Sequence, residues 1–302
     1  MQRYEQCVLC TCVVPWDEYE RLDERSFRSE VRRMRQWFDH LYIFGTAGEG
    51  HAVDLGRFRD VCSVFAEEMR GAHAQAGVIA GSTALTIDRI GIASEIGYRT
   101  FQISLPSWGA LRDGEVLRFF QDVCSAFPDC AFVHYNVARA GRLLSAADYR
   151  RIADTVPNLV ATKITGSDED FARALIREVP ELQHFFVRMF PFGIRLGECS
   201  LLSAHAPHSP RAVCQMFEAG LRGEWDAMDA IAARFSEFDG AVFEPVRGRG
   251  YVDGAYDKLR VQLGGVRFPL RMLSPWDSFD PSDAALCLAI ARERFSDVLE
   301  RG

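Results

Sequence analysis

The sequence predicts an α/β fold, a (β/α)8 TIM barrel with a C-terminal helical extension. Three observations lead there. Short apolar runs alternate with amphipathic stretches about eight times along the chain. The apolar runs are near-continuous, as in parallel strands buried on both faces. The first run ends in Val14-Pro15-Trp16, without the Gly-rich phosphate turn that an open doubly wound sheet carries after its first strand. Repeated strand–helix units imply right-handed crossovers, and eight of them are enough to close a barrel.

In chain order, strands are expected at 7–14, 41–44, 77–81, 100–105, 131–135, 159–164, 185–189 and 200–203. Each is a compact apolar run. Helical periodicity covers 27–38, 58–69, 87–96, 115–127, 146–155 and 171–179. The first helix is expected to begin after Ser26, with Glu30 nearby. Ser145, before Ala146-Ala147-Asp148, and Ser167, before Asp168-Glu169-Asp170, are helix-start signals. Only about ten residues separate Met189 from Ser200, so the seventh helix is expected to be stunted. An eighth helix covers about 210–220, and 225–238 and 281–299 also look helical. The expected organisation is a catalytic barrel over 1–222 and a helical extension over 223–302, with no Pro/Gly/Ser linker between them.

Composition narrows the function. The 302 residues are 48% hydrophobic and 25% charged, which is ordinary globular composition. A net charge of −7 with scattered basic residues gives no general attraction to nucleic acid or to an anionic membrane. No stretch reaches the ~20 apolar residues of a membrane span. The nine cysteines are odd in number and no signal peptide precedes them, so they read as reduced thiols in a cytoplasmic protein. Cys7, Cys10 and Cys12 lie in a strand-like run without a fourth ligand at metal-site spacing, so no metal site is expected.

The basic residues carry the strongest chemical signal. Only Lys163 and Lys258 are lysines among 35 basic residues. Arginine stays protonated and cannot act as an amine nucleophile. Lys163 lies at the end of the sixth strand, where burial makes an amine more nucleophilic. Lys258, in Asp257-Lys258-Leu259-Arg260, reads as part of a charged helical face, solvated or at an interface. Tyr135 ends the neighbouring fifth strand and could shuttle protons. The loop Gly45-Thr46-Ala47-Gly48-Glu49-Gly50 follows the second strand; its exposed N–H groups and the Thr46 hydroxyl could hold a carboxylate. In barrels of this kind the active site lies at the C-terminal strand ends, where these three positions fall.

Together these motifs resemble the dihydrodipicolinate synthase/N-acetylneuraminate lyase family of class I aldolases. Gly45-Thr46-Ala47-Gly48-Glu49 resembles its Gly-x-x-Gly-Glu carboxylate loop, His134-Tyr135-Asn136-Val137 its Tyr-Asn motif, and Thr162-Lys163-Ile164-Thr165-Gly166 its Schiff-base lysine segment. Val78-Ile79-Ala80-Gly81 and Gly97-Tyr98 fit its third strand and third helix end. The resemblance implies a barrel with C-terminal helices, assembled as a homotetramer or homodimer. It implies an imine between Lys163 and pyruvate or another 2-oxo acid, with Tyr135 and Thr46 moving protons. Backbone amides at Thr46 and Ala47 would hold the carboxylate. No metal or organic cofactor is implied, and the substrates are small molecules, a 2-oxo acid plus an aldehyde.

The departures from the family pattern bear on the second substrate. Ala47 stands where the synthase has a second Thr. Pro106-Ser107-Trp108-Gly109 replaces Pro-Tyr-Tyr, Ala138-Arg139-Ala140 replaces Pro-Ser-Arg, and Phe190-Pro191-Phe192-Gly193 replaces Gly-Asp-Asp. Lysine biosynthesis is therefore not the expected role. Trp108 resembles the hydratase-aldolases that act on arylidene pyruvates, whereas Thr165 resembles the sialic-acid lyase branch. Trp108, Phe190 and Phe192 suggest an apolar rim. Trp108, Arg139, Thr165 and Ser203, the last residue of the eighth strand, are the further substrate-binding candidates. The expected activity is that of a pyruvate-dependent aldolase or hydratase-aldolase acting on an aromatic or apolar aldehyde. The alternatives are a lyase or dehydratase of a sugar-derived 2-oxo acid and a catalytically silent binding homologue.

Overall fold

A computed structural model describes residues 2–166 and 168–300. The elements alternate as β1 Val8–Thr11, α1 Glu24–Arg35, β2 His40–Ile43, α2 Leu55–Glu68, β3 His73–Gly77, α3 Thr83–Ile96, β4 Thr100–Ile103, α4 Asp113–Ser125, β5 Ala131–Asn136, α5 Ala146–Ala153, β6 Leu159–Ile164, α6 Glu169–Glu178, β7 Gln183–Phe186, α7 Phe190–Gly193, β8 Ser200–Ser203 and α8 Pro210–Arg222. The strands form one closed barrel in chain order. The extension holds α9 Trp225–Val242, α10 Asp253–Leu263 and α11 Pro281–Arg294. Among the described residues, no helix is long and apolar enough to cross a membrane.

Two strands lie earlier than the apolar runs suggest. β3 ends where the expected strand begins, and β7 starts two residues before it. The reason is buried polarity. Gln75, Gln183 and His184 are all at or below 1% exposed, and each amide or imidazole has a partner inside the fold. A polar group with a partner can occupy a core strand, and an apolarity pattern misses it. Helix starts differ for a related reason. The cap of α1 is Asp23, whose carboxylate accepts from Ser26 N at 3.1 Å; Ser26 Oγ donates to the same carboxylate. The helix therefore begins before Ser26. Ser145 does cap α5, in a reciprocal pair with Asp148. Ser167 lies outside the described residues, and Asp168 caps α6. The seventh helix has four residues, as short as expected.

The chain divides into two compact units. One comprises the residues up to Leu9 together with His73–Leu202. Its strands β3 to β7 pair in parallel with their successors. Between β5 and β6 the register shifts: Phe132 faces Leu159, but Val133 faces Ala161. Val160 is thus an extra residue on β6, and its carbonyl accepts from Tyr4 N at 3.2 Å. The shift sets Tyr135 opposite Lys163; unshifted pairing would have placed Thr162 there.

The second unit comprises Cys10–Ala72 and the chain from Ser203 onward. Its extension packs around Phe238, Val242, Leu259, Cys287, Ala291 and Phe295, all fully buried. The apolar faces of α9, α10 and α11, the three helices that follow α8, supply this core.

Candidate active site

Lys163 and Tyr135 occupy paired positions on β6 and β5. Both are almost fully buried, at 2% and 4% exposed. The Lys163 Nζ sits 4.0 Å from the centroid of the Tyr135 ring. Strand pairing therefore fixes an amine against a phenol ring at the C-terminal ends of two neighbouring strands.

A chain of amides orients that amine. Lys163 Nζ donates to Gln102 Oε1 at 3.2 Å, Gln102 Nε2 to Gln75 Oε1 at 3.2 Å, and Gln75 Nε2 to the Tyr4 hydroxyl at 2.9 Å. Each glutamine donates one way and accepts the other, so the chain has one direction. Such chains polarise along their length and resist reorientation. Gln102 and Gln75 were not among the sequence candidates. Their only signal was a polar residue within or beside an apolar run.

The residue before the lysine is held too. Thr162 Oγ1 lies 2.8 Å from His184 Nδ1, and His184 Nε2 lies 3.0 Å from Val179 O. A carbonyl only accepts, so Nε2 carries the proton and Nδ1 accepts from Thr162. Burial pulls the His184 pKa down to about 4, which keeps that tautomer neutral. On β5, burial pulls His134 down to about 3, beside the Tyr149 hydroxyl at 2.7 Å.

The loops after β4, β5 and β6 carry Trp108, Arg139 and Thr165, all three exposed. The Trp108 side chain is 98% exposed, so packing within its own chain does not account for it. Asn136 closes the β5 loop: its Oδ1 accepts from Leu144 N at 2.9 Å and its Nδ2 donates to Leu144 O at 3.0 Å. The amide thus clamps residues 137–144, where Arg139 sits on a single 3-10 turn. The apolar rim expected from Trp108, Phe190 and Phe192 is corrected in part. Phe190 is fully buried in α7, because the stunted helix turns that ring into the core. Phe192 lies partly buried beneath the Arg173 guanidinium, 5.1 Å from its ring centroid.

The other unit contains Thr46, Ala47 and Ser203. Thr46 is half-buried and Ala47 buried, in the turn that follows β2. Thr46 O accepts from Glu49 N at 3.1 Å, and Gly45 O accepts from Gly50 N at 3.3 Å. The glycines are required for close approach: a Cβ at Gly48 would come within 2.6 Å of Phe44 N, and one at Gly50 within 2.4 Å of Phe44 O. Phe44 and Glu49 adopt left-handed φ values of 60° and 56°, at a cost of about 1–2 kcal/mol each. Ser203 is buried and its hydroxyl accepts from His205 N at 3.1 Å, which fixes the turn after β8.

Lys258 overturns the expectation of a solvated or interface residue. It is fully buried, and its ammonium reaches Glu49 Oε1 at 2.7 Å, Val14 O at 2.9 Å and Arg271 O. Burial lowers its pKa to about 8, against the opposing pull of Glu49. Glu49 is fully buried as well; it also accepts from Trp16 Nε1 at 2.8 Å and Leu273 N at 2.7 Å. The charged run around Lys258 suggested solvent. Its partner, more than 200 residues away in sequence, was not legible.

The three cysteines Cys7, Cys10 and Cys12 are buried free thiols. Burial pushes the thiols of Cys7 and Cys12 up, so they stay protonated.

Comparison with known proteins agrees with this architecture. The sequence profile of the dihydrodipicolinate synthetase family matches residues 5–247. A 4-hydroxy-tetrahydrodipicolinate synthase of Halorhodospira halophila is 24% identical over 263 residues, covering 84% of this chain and 86% of the relative. An N-acetylneuraminate lyase of Escherichia coli is 25% identical over 196 residues, 63% of this chain and 65% of the relative. Among solved structures, an E. coli K12 prophage protein of the dihydrodipicolinic acid synthase family, in complex with pyruvate, superposes with a TM-score of 0.86 at 15% identity, over 95% of this chain and 98% of that one. With the profile spanning most of its length, the chain belongs to the dihydrodipicolinate synthetase family of Schiff-base-forming lyases.

Proposed function

We propose that this protein is a pyruvate- or other 2-oxo acid-dependent class I aldolase or hydratase-aldolase in which Lys163 forms the imine. The observation that carries this reading is the buried Lys163 amine, oriented by Gln102 and facing the Tyr135 ring. The amine attacks the C2 carbonyl carbon, and water leaves after proton transfer. The protonated imine draws electrons from C3, and loss of a C3 proton gives an enamine. The enamine attacks the aldehyde carbonyl, and hydrolysis then releases product and restores the amine. Tyr135 and Thr46 carry protons through these steps. The amides at Thr46 and Ala47 receive the carboxylate, as the family motif implies. The sequence of steps uses no metal or organic cofactor.

The acceptor we assign is an aromatic or apolar aldehyde, on the strength of Trp108. An indole open to solvent beyond β4 offers a flat apolar face and cannot replace a phenol in proton transfer. Arg139, Thr165 and Ser203 are assigned to substrate binding. One observation favours a second reading, lysis or dehydration of a sugar-derived 2-oxo acid: Thr165 stands exposed two residues after the lysine, and N-acetylneuraminate lyases are among the relatives. We place the enzyme in the cytoplasm as a homotetramer or homodimer. Nine free thiols fit a reducing compartment. We place the end of the catalytic barrel at residue 222, where Gly223, with φ 72°, closes α8.

Borohydride reduction in the presence of pyruvate, read by intact mass, tests the imine. The native protein should gain one reduced pyruvyl group, and Lys163→Arg none. Persistent labelling of the variant would sink the assignment. A panel of aryl and polyhydroxylated aldehydes then separates the two acceptor readings: a preference for the sugar aldehydes transfers the reading to the sugar-acid lyase.

A further inference from the structure

The chain retains two lysines, and the imine uses one. The other is enclosed. The Lys258 ammonium has three protons and three oxygen acceptors within reach: Glu49 Oε1, Val14 O and Arg271 O. Glu49 is the last residue of the Gly-x-x-Gly-Glu motif, has a left-handed backbone, and is anchored by Trp16 and Leu273 as well. A carboxylate held on three sides can stabilise a strained backbone that no local interaction would hold. The helix bearing Lys258 also touches the loop directly. One turn before Lys258, a Cβ at Gly254 would lie 2.9 Å from Met272 Cε, the flexible end of a side chain, then 3.2 Å from Thr46 O and 3.6 Å from Glu49 Cγ. Glycine at that position lets α10 lie against the backbone of the loop.

We propose that Lys258 is a positioning residue: through Glu49 it holds the 45–50 loop in the conformation whose amides receive the substrate carboxylate. This rests on the function proposed above. Lysine suits the position because a compact ammonium places three donors on three separate oxygens. A planar guanidinium aims its donors differently and needs more room. The near-complete replacement of lysine by arginine elsewhere in the chain makes its retention here informative.

The test is Lys258→Met, with Gly254→Ala as a second variant that keeps the ion pair but presses on the Thr46 carbonyl. Loss of loop order should weaken ground-state and transition-state binding of the 2-oxo acid alike. KM for pyruvate should therefore rise roughly tenfold, and kcat should fall as well but by less, because Thr46 in the same loop also moves protons. Amide hydrogen exchange over 45–50 should quicken in both variants. Phe295→Leu, a cavity in the α9–α11 core away from the loop, controls for stability: it should lower the melting temperature and leave KM unchanged. Native KM and native exchange in a folded Lys258→Met protein would overturn the proposal, as would an equal rise in KM for Phe295→Leu. If Lys258→Met does not fold, Glu49→Gln, which keeps the size of the side chain and removes its charge from Lys258, decides by the same two readouts. If the native protein forms no imine with pyruvate, the aldolase reading fails separately; exchange over 45–50 then decides whether Lys258 orders the loop.

Discussion

Tyr135 and Lys163 face each other because each ends a strand and the two strands pair in the register observed. A phenol ring 4.0 Å from an amine can do more than pack, since its hydroxyl can take or return protons as the imine forms and the enamine reacts. Tyr135→Phe keeps the ring and removes the proton. It should lower kcat by roughly 10²–10⁴-fold, the range of general acid–base catalysis, and change KM for pyruvate far less. Steady-state kinetics with pyruvate and an accepted aldehyde measure this; near-native kcat would assign the proton to another group or to water. The paired lysine and tyrosine stood out in the sequence because each is a polar residue at the end of an apolar strand run. Gln102 and Gln75 were not, because a glutamine gives no sign of whether its amide has a partner. Lys258 was misjudged for the same reason: its neighbours in sequence are charged, but its neighbours in space are a carboxylate and two carbonyls.

At the scale of elements, hydrogen bonds that cross between strands, loops and helices do what local propensity does not. Asn136 at the end of β5 illustrates this. The family motif pairs it with Tyr135, yet its amide is spent on Leu144. Both groups of Leu144 are backbone, and Leu144 is 1% exposed. Asn136→Ala leaves a buried N–H and a buried C=O without this partner, a loss of about 1–3 kcal/mol. Denaturant unfolding should show that loss. The 137–144 loop carrying Arg139 should become more mobile, while borohydride trapping of the pyruvate imine persists. Loss of trapping in a folded variant would show that Asn136 acts on the imine itself. The extra residue Val160 on β6 is a second example. It shifts the pairing by one position, and its carbonyl is taken up by Tyr4 N. An apolar run such as Leu159-Val160-Ala161 contains no mark of a bulge, because any of the three could be the unpaired one.

Across the whole molecule, buried neutral histidines set the response to acid. His134 and His184 have folded pKa values of about 3 and about 4, both depressed by burial. In the unfolded chain a histidine titrates near 6.5. Between these limits the unfolded state binds more protons, so stability rises with pH and is lost as pH falls below about 6.5. Each histidine contributes a slope of up to about 1.4 kcal/mol per pH unit inside its window. Lys258 follows the same sign in another window. Its folded pKa of about 8 lies below the unfolded value of 10.5, so this group adds stability as pH rises between the two. Denaturant unfolding from pH 7 to pH 5 should show falling stability, with a shallower slope for His134→Phe. An unchanged slope in that variant would remove His134 from the account.

The sequence alone determined the fold class, the order of the barrel's strands and helices and the residues with reactive groups; α10, in the extension, was not among the expected helices. Apolar periodicity and strand-end position are local properties, and a barrel built of repeated local units is legible from them. It also marked the short seventh helix, because ten residues cannot hold a full crossover. Only the tertiary structure decided what each buried polar group touches. The register that sets Tyr135 against Lys163, the amide chain from Lys163 to Tyr4, and the partner of Lys258 all depend on groups distant in sequence. Burying a polar or charged group is costly unless a partner meets it, and the partner is chosen by the packing of strands and helices, not by the residues beside it in the chain.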